Sequence, residues 1–171
     1  NIEFDQYLKR FSYKFKNENK EFGGYAALNN KKISIVMDIG TPPSSKFSSE
    51  YQSGVLSFEI ISNGKKLISN CGYYKKDIRL NQFSKSTAAQ STLIIDDNSS
   101  VKFSKINGAW LIKKNIKTIK KNIFFEKDYW KINASHDGYL KKYNSIHERE
   151  IEFYPLKMSF YGVDKIIKKK T

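Results

Sequence analysis

The stretch VLSFEIISNGKKLIS, from Val55 to Ser69, decides the fold class. Two short runs, Val55 to Ile61 and Lys66 to Ser69, flank the dipeptide Asn63-Gly64. Asn and Gly tolerate positive φ at both centres of a two-residue turn, so the stretch reads as an antiparallel hairpin. The pattern continues outward. Upstream, Ile33 to Ile39 is a strand-length run ended by Gly40 and the Pro42-Pro43 pair. Downstream lie Ser91 to Ile95, Ala109 to Ile112, Ile116 to Phe125, Tyr129 to Ser135, Ile146 to Phe153 and Met158 to Ile167. Strand runs about ten residues apart with turn chemistry between them predict an all-β domain, an antiparallel β-sandwich of two packed sheets. The first stretch differs. Phe4, Leu8, Phe11 and Phe15 recur at helical spacing and predict a short N-terminal helix. Residues 1–22 are thus expected to be a linker or short helix from an upstream domain, and residues 23–171 the sandwich. A chain opening on Asn1 reads as part of something longer. The stretches Thr41 to Glu50 and Tyr73 to Lys85 read as long loops, where sites tend to sit.

A length of 171 residues suits one domain with its own core. With 39% hydrophobic residues, 15% aromatics and only 3 Pro and 9 Gly, collagen-like and low-complexity classes are excluded. No apolar run approaches the roughly 18 residues of a membrane-spanning helix, so no membrane partner is expected. The single Cys71 excludes an internal disulfide and any CxxC metal site. Charge is the largest anomaly: 31 basic against 17 acidic residues give +14, which favours anionic partners. All but Arg10, Arg79 and Arg149 of those cations are lysine. Bidentate reading of phosphate and base edges uses arginine, so this composition disfavours nucleic acid.

Common catalytic motifs are missing: no GxGxxG, P-loop, GxSxG or HExxH string occurs. His136 and His147 fall on separate predicted strands and, read alone, bridge strands or hydrogen-bond. Three longer strings carry more: SGVLSFEIISNGKKLISNCG (Ser53 to Gly72), KSTAAQSTLIIDD (Lys85 to Asp97) and ASHDGYLKKYNSIHERE (Ala134 to Glu150). Together with GYAAL (Gly24 to Leu28), MDIGTPP (Met37 to Pro43) and FYGVDKI (Phe160 to Ile166), they resemble, in order, the C-terminal domain of bacterial heparinase II/III-like polysaccharide lyases. The resemblance implies a β-sandwich that follows a helical toroid in the same protein. It also implies an acidic, uronic-acid-containing polysaccharide as substrate, cleavage by β-elimination, a periplasmic setting and no cofactor in this part.

Such a cleavage needs the sugar carboxylate neutralised, the C5 proton removed and the 4-O leaving group protonated. In the family most acid and base groups come from the toroid, so this chain alone is expected to be inactive. The resemblance places Gln52 at the catalytic position of a family histidine, and Gln90 at a second one. Glutamine cannot titrate and is a poor zinc ligand, so no metal is expected. Arginines of the family strings are replaced by Ala27 and Lys85. Arg79, His136, Tyr139, His147 and Arg149 remain as substrate-binding candidates, expected on one face where cations meet carboxylates and rings meet sugars. The alternative is a non-catalytic carbohydrate-binding or interaction module; a third reading is nonspecific nucleic-acid binding.

Overall fold

Asn63 and Gly64 have φ of 48° and 76°, both positive as a type I′ turn demands. From that turn β4 (Phe58–Ser62) and β5 (Lys65–Ile68) run antiparallel. The computed structural model describes residues 6, 7, 10, 11, 20–74 and 76–169. The N-terminal helix expected on Phe4, Leu8, Phe11 and Phe15 lies mostly outside them. With β1 (Glu21–Phe22), β2 (Tyr25–Asn29) and β3 (Ile33–Asp38), the hairpin forms a five-stranded sheet in sequential order. A second Asn-Gly turn, Asn107-Gly108, joins β6 (Phe103–Ile106) to β7 (Ala109–Ile112) as a separate two-stranded ribbon. The remaining sheet has four strands: β8 (Thr118–Phe125), β9 (Trp130–His136), β10 (Ser145–Tyr154) and β11 (Ser159–Lys168).

Every strand pair is antiparallel, and the core joins both large sheets: Leu28, Ile35 and Met37 of the first with Trp130, Ile132, Ile151 and Phe153 of the second. Burial alternates strictly along β10, with Ser145, His147, Arg149, Ile151 and Phe153 inward, the period of two of a strand with one face in the core. The expected all-β sandwich therefore holds, with the ribbon as an addition. The helices are short: α1 (Ile78–Ser84), capped by Asp77, whose carboxylate accepts from the Arg79 and Leu80 amides, and the single turn α2 (Leu140–Tyr143).

Two local expectations are corrected. Ser91 to Ile95 is not a strand; only an isolated Ile95–Asn98 bridge occurs there. Side chains take over its bonding: Ser91 Oγ both accepts from the Phe58 amide and donates to the Phe58 carbonyl, and Asn70 Oδ1 accepts from the Ser91 amide at 2.7 Å. The stretch Tyr73 to Lys85 carries α1 instead of being a loop. The strings also explain two tight places. Gly24 and Gly40 pack backbone to backbone, and a Cβ on Gly24 would stand 3.0 Å from the Gly40 Cα. Leu56 has φ of 61°, a left-handed conformation strained for a leucine, and its carbonyl accepts from Arg149 Nη1 at 2.7 Å.

Candidate functional site

Two polar regions hold most of the residues singled out by sequence. The first is a chain of interior hydrogen bonds between β9, β10 and β11. Opposed positions on neighbouring strands bring His136 beside His147, and Arg149 beside Asp164. Arg149 grips Asp164 with two bonds, Nε to Oδ1 and Nη2 to Oδ2, both 2.8 Å, while Nη1 donates to the Leu56 and Ser91 carbonyls. Its guanidinium lies 5.2 Å from the Phe58 ring centroid. His147 Nε2 stands 2.6 Å from Asp164 Oδ1, and its Nδ1 3.1 Å from His136 Nε2.

The hydrogen-bond network fixes the tautomers. The Gly138 amide can only donate, and it donates to His136 Nδ1 at 3.0 Å. The neutral His136 ring therefore carries its proton on Nε2 and gives it to His147 Nδ1, which places the His147 proton on Nε2, facing Asp164. Burial pushes the His136 imidazolium down to about 3, with His147 and Arg149 adding to the effect. Burial would raise Asp164, but the hydrogen bonds from His147 and Arg149 outweigh it and hold the carboxyl well below its usual range. Every polar atom in this chain faces a partner.

His136, His147, Arg149 and Tyr139 are 1%, 0%, 7% and 1% exposed, so they form interior structure in place of the open face expected for them. Tyr139 donates its hydroxyl to the Leu93 carbonyl at 2.7 Å, beside the His136 ring. Arg79 is exposed on α1, and no bond joins it to the other four. The difference follows from strand parity: His147 and Arg149 share the inward face of β10 with Ile151 and Phe153.

The second region is an open cavity of about 430 Å³ against β2, β3 and β4, the inner strands of the first sheet. Gln52 and Gln90 both line it, with Asp38, Tyr51, Glu59 and Asn70. Gln90 is anchored, its amide donating to the Cys71 and Ser84 carbonyls at 3.0 and 2.8 Å. Gly54 packs tightly on Ser57: a Cβ there would stand 3.0 Å from Ser57 Oγ. Lys85 sits beneath, donating to the Ser49 and Tyr51 carbonyls at 2.6 and 2.9 Å, and burial lowers its pKa. A family arginine position thus fixes the segment carrying Tyr51 and Gln52.

Within the cavity wall, the Tyr51 hydroxyl and both amide atoms of Gln52 are buried without a hydrogen-bond partner. Such atoms are rare in folded proteins and mark places where water or a ligand completes the bonding. Burial raises Asp38 to about 7, against the lowering effect of the Gly40 amide on its Oδ1. Burial, then Asp38, then Tyr25 raise Tyr51, which keeps its phenol protonated. Sequence reading missed Asp38 and Tyr51 as cavity residues; the signal was the MDIGTPP string, an acid at a strand end before a Gly-Pro turn. The arrangement can donate and accept hydrogen bonds to neutral hydroxyls, and one carboxyl can exchange a proton near neutral pH. Among the described residues no three His, Cys, Asp or Glu side chains cluster to hold a metal ion.

No curated protein and no solved structure matches the chain. The model of the family described as Heparinase II/III-like, C-terminal, does match, over residues 19–171, and with nine-tenths of its length aligned the chain belongs to that family.

Proposed function

We propose that this chain is the β-sandwich part of a polysaccharide lyase that cleaves an acidic, uronic-acid-containing polysaccharide by β-elimination, with an upstream helical domain supplying the other wall of the site. The observation that carries the reading is the cavity in which Gln52 and Gln90, at the positions of family histidines, meet with Asp38 and Tyr51. In this reading the sandwich positions sugar hydroxyls through the Gln52 amide and the Tyr51 hydroxyl. Asp38, able to hold a proton near neutral pH, can donate to a uronate carboxylate and thereby favour loss of the C5 proton. Proton abstraction itself falls to the helical domain, because glutamine cannot titrate and burial keeps Tyr51 protonated.

The test is the ultraviolet absorbance of the 4,5-unsaturated uronate that β-elimination creates. The full protein with its helical domain should produce it from a polyuronate, and this chain alone should not. Asp38→Asn in the full protein should lower kcat and flatten the pH profile near 7. One specific observation favours a second reading, a carbohydrate-binding module without catalysis: both family histidine positions hold non-titrating side chains. Saturable polyuronate binding by the full protein with no unsaturated product would favour that module over the lyase.

A further inference from the structure

A second and larger cleft, of about 990 Å³, opens on the other part of the fold. Its wall is built from the β7–β8 connection, the β9–β10 connection with α2, and the segment before β6. Lys102, Lys113, Lys114, Lys141 and Lys142 line it, and Asp137 is its only acid. That carboxylate is already engaged, with Oδ1 accepting the Lys117 amide at 2.7 Å. Among the described residues none of the five lysines is ion-paired, whereas Lys120 and Lys131, on the outer face of the second sheet, both pair with glutamates. Lys142 Nζ donates to Asn98 Oδ1 at 2.7 Å, a neutral partner that leaves its charge in place, and five cations around one concavity repel each other and focus a positive potential that an anion relieves.

The frame of the cleft is held before any ligand arrives. Lys113 N donates to the Lys102 carbonyl at 2.8 Å, and Asp137 N to the Lys117 carbonyl at 3.1 Å. Leu140 N donates to the Asp137 carbonyl at 2.9 Å, and Tyr143 Oη reaches the Ile95 carbonyl at 3.2 Å. Gly138, on the wall, is tied to the His136 ring. We propose that this cleft is a binding site for an anionic oligosaccharide whose sulfate or carboxylate groups the five lysines hold. The choice of saccharide over nucleic acid rests on the lining. Its cations are all lysines, point charges that suit scattered single anionic groups, where bidentate reading of phosphates and bases would use arginine. The size lies at the upper end of ordinary ligand sites, room for more than one sugar ring. The site does not depend on the lyase reading, because none of its residues lines the glutamine cavity.

The experiment compares two triple variants of the chain with equal charge loss. One replaces Lys113, Lys114 and Lys141 by Gln; the other replaces Lys65, Lys66 and Lys157, exposed lysines outside the cleft. The probe is a fluorescent sulfated uronic-acid hexasaccharide, with its desulfated, carboxyl-reduced neutral analogue and a single-stranded oligonucleotide of equal charge as further ligands. The cleft variant should lose about tenfold to a hundredfold in affinity for the sulfated probe. The control variant should stay within about threefold of the parent chain. Amide chemical shifts on binding should move in residues 113–116 and 137–142. Equal losses in both variants would overturn the proposal, leaving only net charge. So would oligonucleotide binding as tight as the saccharide and lost in the same cleft variant, which would make the site one for nucleic acid.

Discussion

The histidine chain and the glutamine cavity are both polar regions inside a β-sandwich, yet they solve opposite problems. In the first, every donor meets an acceptor, from the Gly138 amide through His136 and His147 to Asp164 and Arg149. In the second, the Tyr51 hydroxyl and both Gln52 amide atoms are buried in a cavity wall with no hydrogen-bond partner among the described residues. His136, His147 and Arg149, which agree with the family strings, sit in the closed region; Gln52 and Gln90, which depart from them, line the open one beside Asp38, Glu59 and Asn70, which agree. An exchange at Gln52 strands no partner, whereas one at Gln90 strands the Cys71 and Ser84 carbonyls.

The sharpest way to break this comparison is to remove one charge from the closed chain. Arg149→Met deletes four hydrogen bonds, two to Asp164 and two to backbone carbonyls, and leaves the left-handed Leu56 without its bond. Asp164 retains partial solvent contact, so the loss should be about 3 kcal/mol, toward the low end for a broken buried pair. Gln52→Met, of the same shape class, should change stability by less than about 1 kcal/mol, because no bond is lost. Chemical unfolding of both variants decides: similar losses would mean that the cavity wall is as tightly coupled as the strand network.

Next in size is Gly138→Ala. A Cβ there would stand 2.8 Å from the Ser100 carbonyl and 2.9 Å from His136 Nδ1. The loop must shift and weaken the bond that sets the His136 tautomer, so the expected loss is about 2 kcal/mol. An alanine tolerated without loss of melting temperature would show that the loop gives freely. The same variant should disturb the lysine cleft, since Gly138 belongs to its wall.

The pH dependence of stability separates the two regions by sign. His136 is held at about 3 against an ordinary value of 6.5, so between those pH values the unfolded chain binds the extra proton and stability falls as pH drops. Asp38, raised from 3.8 to about 7, acts oppositely: the folded chain keeps a proton that the unfolded one has lost, so stability falls as pH rises through that window. Each slope approaches about 1.4 kcal/mol per pH unit where its group alone titrates. The two windows overlap between about pH 4 and 6.5, so the slopes largely cancel and the parent chain should be nearly flat there. Below that range the lowered Asp164 carboxyl adds a further loss as pH falls. Asp38→Asn should expose the His136 slope, with stability rising from pH 4 to 6.5, and His136→Phe should expose the opposite slope. A parent profile that changes steeply across the window, with Asp38→Asn unchanged from it, would refute the assignment.

What sequence could show divides along the same line. Period-two runs and the Asn63-Gly64 turn carry the sheets, because strand parity and turn sterics are local. The absence of a strand at Ser91 to Ile95 was not legible, since it depends on where Asn70 and Phe58 lie in space. The strings with His136, His147 and Arg149 could be located but not turned inward or outward. A histidine or arginine reads as an exposed cation until the inward parity of β10 and the partner Asp164, fifteen residues beyond Arg149, are known. The pairing of Gln52 with Gln90 in one cavity was foreshadowed only by both being departures. The roles of Asp38 and Tyr51 beside them needed the fold.

The smallest expected effect is the most diagnostic for the open region. Tyr51→Phe removes a buried hydroxyl that has no partner, so the free chain should gain up to about 1 kcal/mol, the reverse of the usual cost of truncating a polar side chain. The ring stays and fills the same space, so packing is unchanged. If the cavity holds sugar hydroxyls, the same variant should bind an oligouronate more weakly, by a factor of about 5, which is one neutral hydrogen bond. Stability rising while affinity falls is the signature of a polar group kept for a ligand, because a site must leave atoms unsatisfied until the ligand arrives. A loss of stability in Tyr51→Phe would show that the hydroxyl already has a partner within the folded chain. Unchanged affinity would remove Tyr51 from the proposed site and leave Gln52 and Asp38 to carry it.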